Sequence, residues 1–134
     1  MAEFGDLAYP SKEVVTENDN IVIKKHIDGY EGGRTLDMTG YGLSVIKAGH
    51  VVIVDAATKK KFKPMPLVST NDAYAALPTG SQYAGIVVAT KNADRPFVGI
   101  MTQGTVNPAA APFKYDSILT ALKTALPLIE FRED

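Results

Sequence analysis

The chain of 134 residues contains no cysteine and no tryptophan, and only two of its residues are histidine. Disulfide bonds and thiolate metal sites are therefore excluded, so packing or assembly has to supply the stability. A chain of this length buries roughly two-thirds of its unfolded surface, which is enough for a core. We expect a single domain with its own core, extended by an arm.

A strong charge of one sign is also missing, since the formal net charge is -1 and the sequence pI is about 6.1. A phosphate backbone needs a basic partner, so we expect no nucleic-acid binding. The uncharged runs are too polar to span a bilayer, and Met1–Asp6 lacks the basic and apolar regions of a signal peptide. We expect no membrane partner and synthesis in a host cytoplasm.

The pattern of β-branched runs between turn residues predicts a mainly β fold, a small barrel-like or sandwich-like module. Strands are predicted at Ile21–Ile23, Leu36–Met38, Val51–Val54, Ala84–Ala89, Val98–Met101 and Leu128–Phe131.

Two of the strand regions, Tyr83–Val88 and Gly99–Val106, contain or adjoin glycine and should pair as a hairpin. Pro64 and Pro66 confine the segment Lys61–Leu67 to an edge or irregular strand. The segment Asn71–Leu77 is compatible with one or two helical turns or with a loop.

One short helix is predicted from Asp116 to Leu126, capped by Asp116 or Ser117 and stopped by Pro127. Its apolar stripe consists of Ile118, Leu119, Leu122 and Leu126. Because so short a helix is unstable alone in water, it should pack on the sheet.

Residues 1–20 are polar and lack periodicity, so we expect an extended N-terminal arm, followed by a β domain over residues 21–134. Phe4, Leu7 and Tyr9 are spaced like contact points along an extended segment, and they are our candidate partner-binding residues. The alternative is a frayed, dispensable terminus.

No arrangement of residues indicates a catalytic, cofactor-binding or metal site. His26 and His50 lack neighbouring ligand spacing and are interpreted as surface or turn histidines. The aspartates Asp19, Asp28, Asp37 and Asp55 are interpreted as turn residues. We also expect no cofactor.

Two further segments are interpreted as hairpin tips. Gly29–Thr35 is glycine-rich but lacks the ending of a phosphate-binding loop. Lys59, Lys60, Lys61 and Lys63 form a basic run, either solvated or in contact with an acidic protein partner.

The order of elements in the second half of the chain resembles that of the head decoration proteins, or auxiliary capsid proteins, of tailed bacteriophages. The resemblance covers about residues 43–131. The matching segments are Ala48–Val52, Lys61–Pro64, Tyr83–Val87, Gly104–Val106, Asp116–Leu126 and Leu128–Phe131.

This resemblance implies a non-enzymatic structural protein of the virion, located on the capsid surface. Its expected partners are the major capsid protein and further copies of itself, with a trimer favoured. Three alternatives stay open at this point: the capsid-anchoring base of a head fibre, a small hydrolase using Asp37 and Asp55, and a carbohydrate-binding module.

Overall fold

A computed structural model describes residues 19–39, 41–68 and 73–132. Within them the protein is mainly β, as predicted, and one short C-terminal helix packs on the sheet. The strands are β1 (Ile23–Gly29), β2 (Arg34–Thr35), β3 (Val45–Ile46), β4 (Val51–Asp55), β5 (Phe62–Pro64), β6 (Ser81–Val87), β7 (Lys91–Asn92), β8 (Phe97–Val98), β9 (Ile100–Val106) and β10 (Ile129–Phe131). The α-helices are α1 (Asp19–Val22) and α2 (Leu119–Ala125).

A six-stranded sheet forms the centre of the molecule. Its order is β1-β9-β6-β4-β5, and β10 pairs in parallel with β9. The pairs β2–β8 and β3–β7 form two small antiparallel sheets. All three sheets are open, so the fold is not a closed barrel.

Strand β4 is buried on both faces. Successive residues of a strand point to opposite faces, so Val51 and Ile53 join one hydrophobic cluster while Val52 and Val54 join another. The first cluster includes Leu122 of α2, and the second contains residues of the small sheets. This double burial explains why four apolar residues follow one another in the sequence.

The two strands marked by glycine pair as predicted. Ile86 lies opposite Met101, and Val87 lies opposite Ile100, in an antiparallel arrangement. The segment between them is not a simple turn, because it contains β7 and β8, which pair with other strands. The connection therefore ties the central sheet to both small sheets.

Helix α2 begins at Leu119 and is shorter than predicted. Its apolar stripe is confirmed: Ile118, Leu122 and Leu126 are buried, and Leu122 has no exposed surface. The predicted caps were wrong, because Ile118 occupies the cap position without a side-chain hydrogen bond. The Ser117 hydroxyl donates instead to the Tyr74 carbonyl, at 3.2 Å.

The prediction for the proline-containing segment is confirmed. Strand β5 lies at the edge of the sheet and pairs with β4 alone among the described strands. The turn between β4 and β5 makes this pair a hairpin, in which Val54 lies opposite Phe62. An edge position suits Pro64, which has no N–H for a second neighbour.

The predicted strand Ile21–Ile23 was wrong in its first two residues, which belong to α1. The chain turns here because Val22 is buried and its carbonyl accepts a hydrogen bond from the Asn107 N–H, at 2.8 Å. This long-range contact overrides the β propensity of isoleucine and valine.

The predicted edge strand Leu36–Met38 was also wrong, since β2 ends at Thr35. The Leu36 N–H donates to the Pro96 carbonyl, whereas the Asp37 N–H donates to the Phe62 carbonyl. The backbone therefore bonds to two different segments in turn and forms no continuous strand there.

Several predicted boundaries shift. Strand β6 starts at Ser81 and stops at Val87, and the predicted strand Val98–Met101 is divided at Gly99 between β8 and β9. Strand β10 starts after Leu128, which is 62% exposed. Of the segment Asn71–Leu77, the described part is not helical, and Ala73 and Tyr74 form isolated bridges.

Candidate functional site

A cleft of about 220 Å³ lies beside the edge strand β5. It is bounded by the loop that follows β2, by the chain that leaves β5, and by Pro78. Its lining is mixed, and the apolar part includes Tyr41, Leu43, Pro64, Pro66, Leu67 and Pro78. Prolines supply much of this wall, and proline is compatible with an edge strand but not with a central one.

The polar rim of the cleft contains Asp37, Thr39 and Lys63. Asp37 accepts hydrogen bonds from the Thr39 hydroxyl at 2.7 Å and from the Thr39 N–H at 3.1 Å. It also forms an ion pair with Lys61 at 3.3 Å. These bonds, with those to Thr39 the largest cause, lower the pKa of Asp37 to about 2.

A second, more open depression of about 300 Å³ lies next to this rim. Its lining is polar and consists of Asp55, Lys61, Lys63, Thr79, Gly80 and Ser81. Asp55 accepts from the Thr58 hydroxyl at 2.8 Å and from the Ala57 N–H at 3.1 Å, and these bonds lower its pKa. Lys63 therefore borders both recesses.

The hydrogen bonds of Asp37 and Asp55 bear on the hydrolase alternative. Each carboxylate is bonded within its own turn, as predicted for turn aspartates. A general acid in hydrolysis needs a raised pKa, whereas both of these pKa values are lowered. The two groups are therefore arranged to stay ionised and to hold turns.

His50 lies beneath the cleft. Its predicted place at a turn is confirmed, because its backbone N–H donates to the Lys47 carbonyl at 3.1 Å, but the prediction of a surface side chain was wrong. The side chain is fully buried. Its ring stands edge-on to the rings of Tyr41, Tyr74 and Phe113, with centroids 5.3–5.7 Å apart. Its position after Ala48-Gly49 suggests a turn, but the aromatic residues that surround it come from distant parts of the sequence.

The tautomer of His50 follows from its neighbours. Nε2 lies 3.2 Å from the Met65 carbonyl oxygen, which can only accept, so Nε2 carries the proton. Nδ1 is then an acceptor, and among the described residues it finds no hydrogen-bond partner. Burial lowers the pKa of His50 from its ordinary 6.5 to about 4. The side chain is neutral at physiological pH.

Tyr41 links the buried histidine to the cleft. Its hydroxyl donates to the Val45 carbonyl at 2.7 Å, and burial raises the pKa of this hydroxyl to about 12. The neighbouring tyrosines are also hydrogen-bonded: the Val51 N–H donates to the Tyr74 hydroxyl, and Tyr115 donates to the Gly49 carbonyl. Hydrogen bonds between these tyrosines and the backbone therefore fix the cleft wall behind Tyr41.

The glycine-rich segment is not a hairpin tip, because β1 pairs with β9 and β2 pairs with β8. It forms a turn in which Gly32 and Gly33 have φ values of 75° and 73°. The Arg34 guanidinium closes this turn by donating to the carbonyls of Glu31 and Gly33, and it lies over the Tyr30 ring. Its role in the described structure is therefore local.

Strand β1 forms the other edge of the sheet. Within the described residues its neighbour is β9, and five consecutive residues of β1, from Lys24 to Asp28, are exposed. Ile27 is 53% exposed. Lys24 and Lys25 place charges on this edge, a device that discourages indiscriminate strand pairing.

The candidate partner-binding residues Phe4, Leu7 and Tyr9 lie outside the described residues. Among the residues that are described, no cluster of three or more histidine or acidic side chains could hold a metal ion. No helix in that part of the chain is long and apolar enough to cross a membrane.

Comparisons with known proteins found no matching family model, no similar curated protein and no similar solved structure.

Proposed function

We propose that this chain is a non-enzymatic structural protein that binds the outer surface of a tailed-bacteriophage capsid and stabilises the shell. The observation that carries the proposal is β1, a seven-residue strand at the edge of the sheet formed by the described residues, with an exposed run of five residues. Such an edge offers backbone donors and acceptors to an extended segment of a partner, which is a common mode of protein recognition.

The arrangement of the segments on which the family resemblance rests gives the proposal further support. β6 and β9 pair through residues 86–87 and 100–101, β10 pairs with β9, and α2 packs on the same core. They make one compact unit, as a clamp on a shell surface requires. Many weak contacts repeated over a capsid lattice give strong attachment without a deep binding pocket.

The residues proposed for shell contact are Phe4, Leu7 and Tyr9 of the N-terminal arm. The arm contains too few apolar residues for a core of its own, so ordering it requires a partner surface. The major capsid protein is the proposed partner, and the proposed location is the virion surface.

Co-sedimentation with purified phage heads that lack their decoration protein tests this function. We expect the full chain to sediment with the heads in a saturable manner and to raise the temperature at which they break open. A chain carrying Phe4→Ser, Leu7→Ser and Tyr9→Ser should bind at least tenfold more weakly while keeping the circular dichroism spectrum of the unmodified chain.

The matched control carries Val14→Ser and Val15→Ser, which remove apolar side chains from the same arm but leave the proposed contact residues intact. Its binding should equal that of the unmodified chain. A full chain that stays in the supernatant at every concentration would contradict the proposed function. Equal binding by both variants would contradict the role of the arm.

A further inference from the structure

The cleft beside β5 has the size and lining of a site for one side chain. Its volume of about 220 Å³ is below the roughly 300–1,000 Å³ of most small-molecule pockets. Leu43, Leu67 and three prolines provide apolar contact, and the Tyr41 ring provides an aromatic face. An aromatic side chain gains most from such a surface, because it buries a large area at a small entropic cost.

The rim of the cleft favours an acidic neighbour. Asp37 is paired with Lys61, so the positive charge that remains at the rim is that of Lys63. Lys59 and Lys60 precede them on the same hairpin and are exposed. A segment with an aromatic residue between acidic ones would therefore match both the cleft and its rim.

The chain itself contains such a segment in Glu3-Phe4-Gly5-Asp6, where acidic residues precede and follow Phe4. The charges of the whole chain are distributed in a way that fits this match, with an acidic arm and a basic remainder. Residues 1–18 contain four acidic residues and one basic residue, whereas the remainder contains eleven acidic and thirteen basic residues. The basic excess of the module is thus available to the acidic arm.

The described chain starts close to the cleft. Val22 of α1 packs against Gly49. His50, which follows Gly49 in the sequence, lies behind the cleft wall, and the centroid of its ring is 5.7 Å from that of the Tyr41 ring. The fourteen residues between Phe4 and Asp19 span about 20 Å on average as a flexible chain. A tether of this length gives an effective concentration in the millimolar range, which favours the segment of the same chain over that of another copy.

We propose that the cleft lined by Tyr41, Leu43, Pro64, Pro66 and Leu67 is the docking site of Phe4 from the same chain, with Glu3 and Asp6 beside Lys63 of β5 and the lysines of the preceding turn. This contact is separate from the proposed attachment to a shell and forms in the unattached protein. It keeps Phe4 covered until a competing surface takes it up.

A spin label tests the contact directly, because the chain has no cysteine of its own. Ala2→Cys is labelled in the full-length, ¹⁵N-enriched protein, and amide signals are compared before and after reduction of the label. We expect at least a twofold loss of signal at Leu43 and Leu67, and none at Glu130 on β10, at the other side of the sheet. Adding Phe4→Ala should restore the signals at the cleft, whereas adding Val15→Ala should not.

Dilution with a tenfold excess of unlabelled chain identifies the source of the segment. A loss of signal that persists supports docking within one chain, and one that disappears shows that another copy fills the cleft and overturns the proposal. Uniform or absent broadening, or broadening that survives Phe4→Ala, would overturn it as well. No phage heads are used, so the result is independent of the shell-binding test.

Discussion

At Gly85 two strands lie too close for a side chain. A Cβ atom built there would be 2.5 Å from the Met101 carbonyl oxygen and 2.6 Å from Cγ2 of Ile100. The register between β6 and β4 also shifts at this point. The sequence-based interpretation of Gly85 as a close-approach position is therefore confirmed.

We expect Gly85→Val to lower the free energy of unfolding by about 1–3 kcal/mol or more, because the backbone of β9 must move to make room. Urea unfolding followed by circular dichroism measures this change. Gly42→Ala is the control, since no atom lies within 4 Å of its added Cβ. An unchanged midpoint for Gly85→Val would show that the contact is not tight.

His50 makes the stability depend on pH. Above pH 6.5 the side chain is neutral in both the folded and the unfolded protein. As the pH falls from 6.5 to about 4, the unfolded chain takes up a proton that the folded protein does not. We expect the free energy of unfolding to fall by about 3 kcal/mol over this range.

Chemical denaturation at intervals across that pH range measures the slope of the free energy of unfolding against pH. His50→Gln, whose amide can still donate to the Met65 carbonyl, should remove most of it. His26→Gln provides the control, because His26 is exposed on β1. A slope that is unchanged in His50→Gln would assign the acid sensitivity to other groups.

At the scale of single elements, α2 depends on one residue more than on any cap. Leu122 is fully buried in the cluster that the helix shares with the sheet. We expect Leu122→Ala to destabilise the protein by about 2–5 kcal/mol. Lys123→Ala, on the exposed side of the helix, should change the stability little, and thermal unfolding compares the two. A loss below about 0.5 kcal/mol for Leu122→Ala would mean that the helix is not docked.

The elements that could be predicted from the sequence are those with a local apolar pattern, either a continuous β-branched run or a helical stripe. The β-branched run of β4 and the apolar stripe of α2 show such patterns, and both lie within the predicted segments, although α2 starts later than predicted. Val22 and Leu36 could not be placed, because their conformations depend on hydrogen bonds to Asn107 and Pro96, far along the chain. Tertiary contacts of this kind have no local sequence pattern.

The cleft beside β5 was not predicted for a related reason. Its wall is assembled from Tyr41, Leu43, Pro66 and Pro78, which are separated in the sequence and share no motif. The burial of His50 was missed as well, since its aromatic neighbours Tyr74 and Phe113 follow it by more than twenty residues. Only the proline content of residues 64–66 indicated an edge at this place.

At the scale of the whole molecule, the family resemblance predicts a trimer. We expect light scattering coupled to size-exclusion chromatography to give three times the chain mass of 14.4 kDa. Measurement over a range of concentrations checks whether this state is stable. The mass of a single chain at the concentrations that saturate phage heads would contradict a trimer as the binding species.

Strand β9 also determines how the chain could be rearranged. Val106 lies opposite Ile23 on one side and opposite Phe131 on the other, so the first and last strands of the module flank the same residue. Two strand spacings of about 4.8 Å put these positions roughly 10 Å apart. A linker of about four residues could join them, and new ends could be opened at the exposed turn Ala56–Thr58. Such a circular permutant would keep the pairing of the central strands and move the N-terminal arm, which we propose to bind the shell, to a different point of the surface.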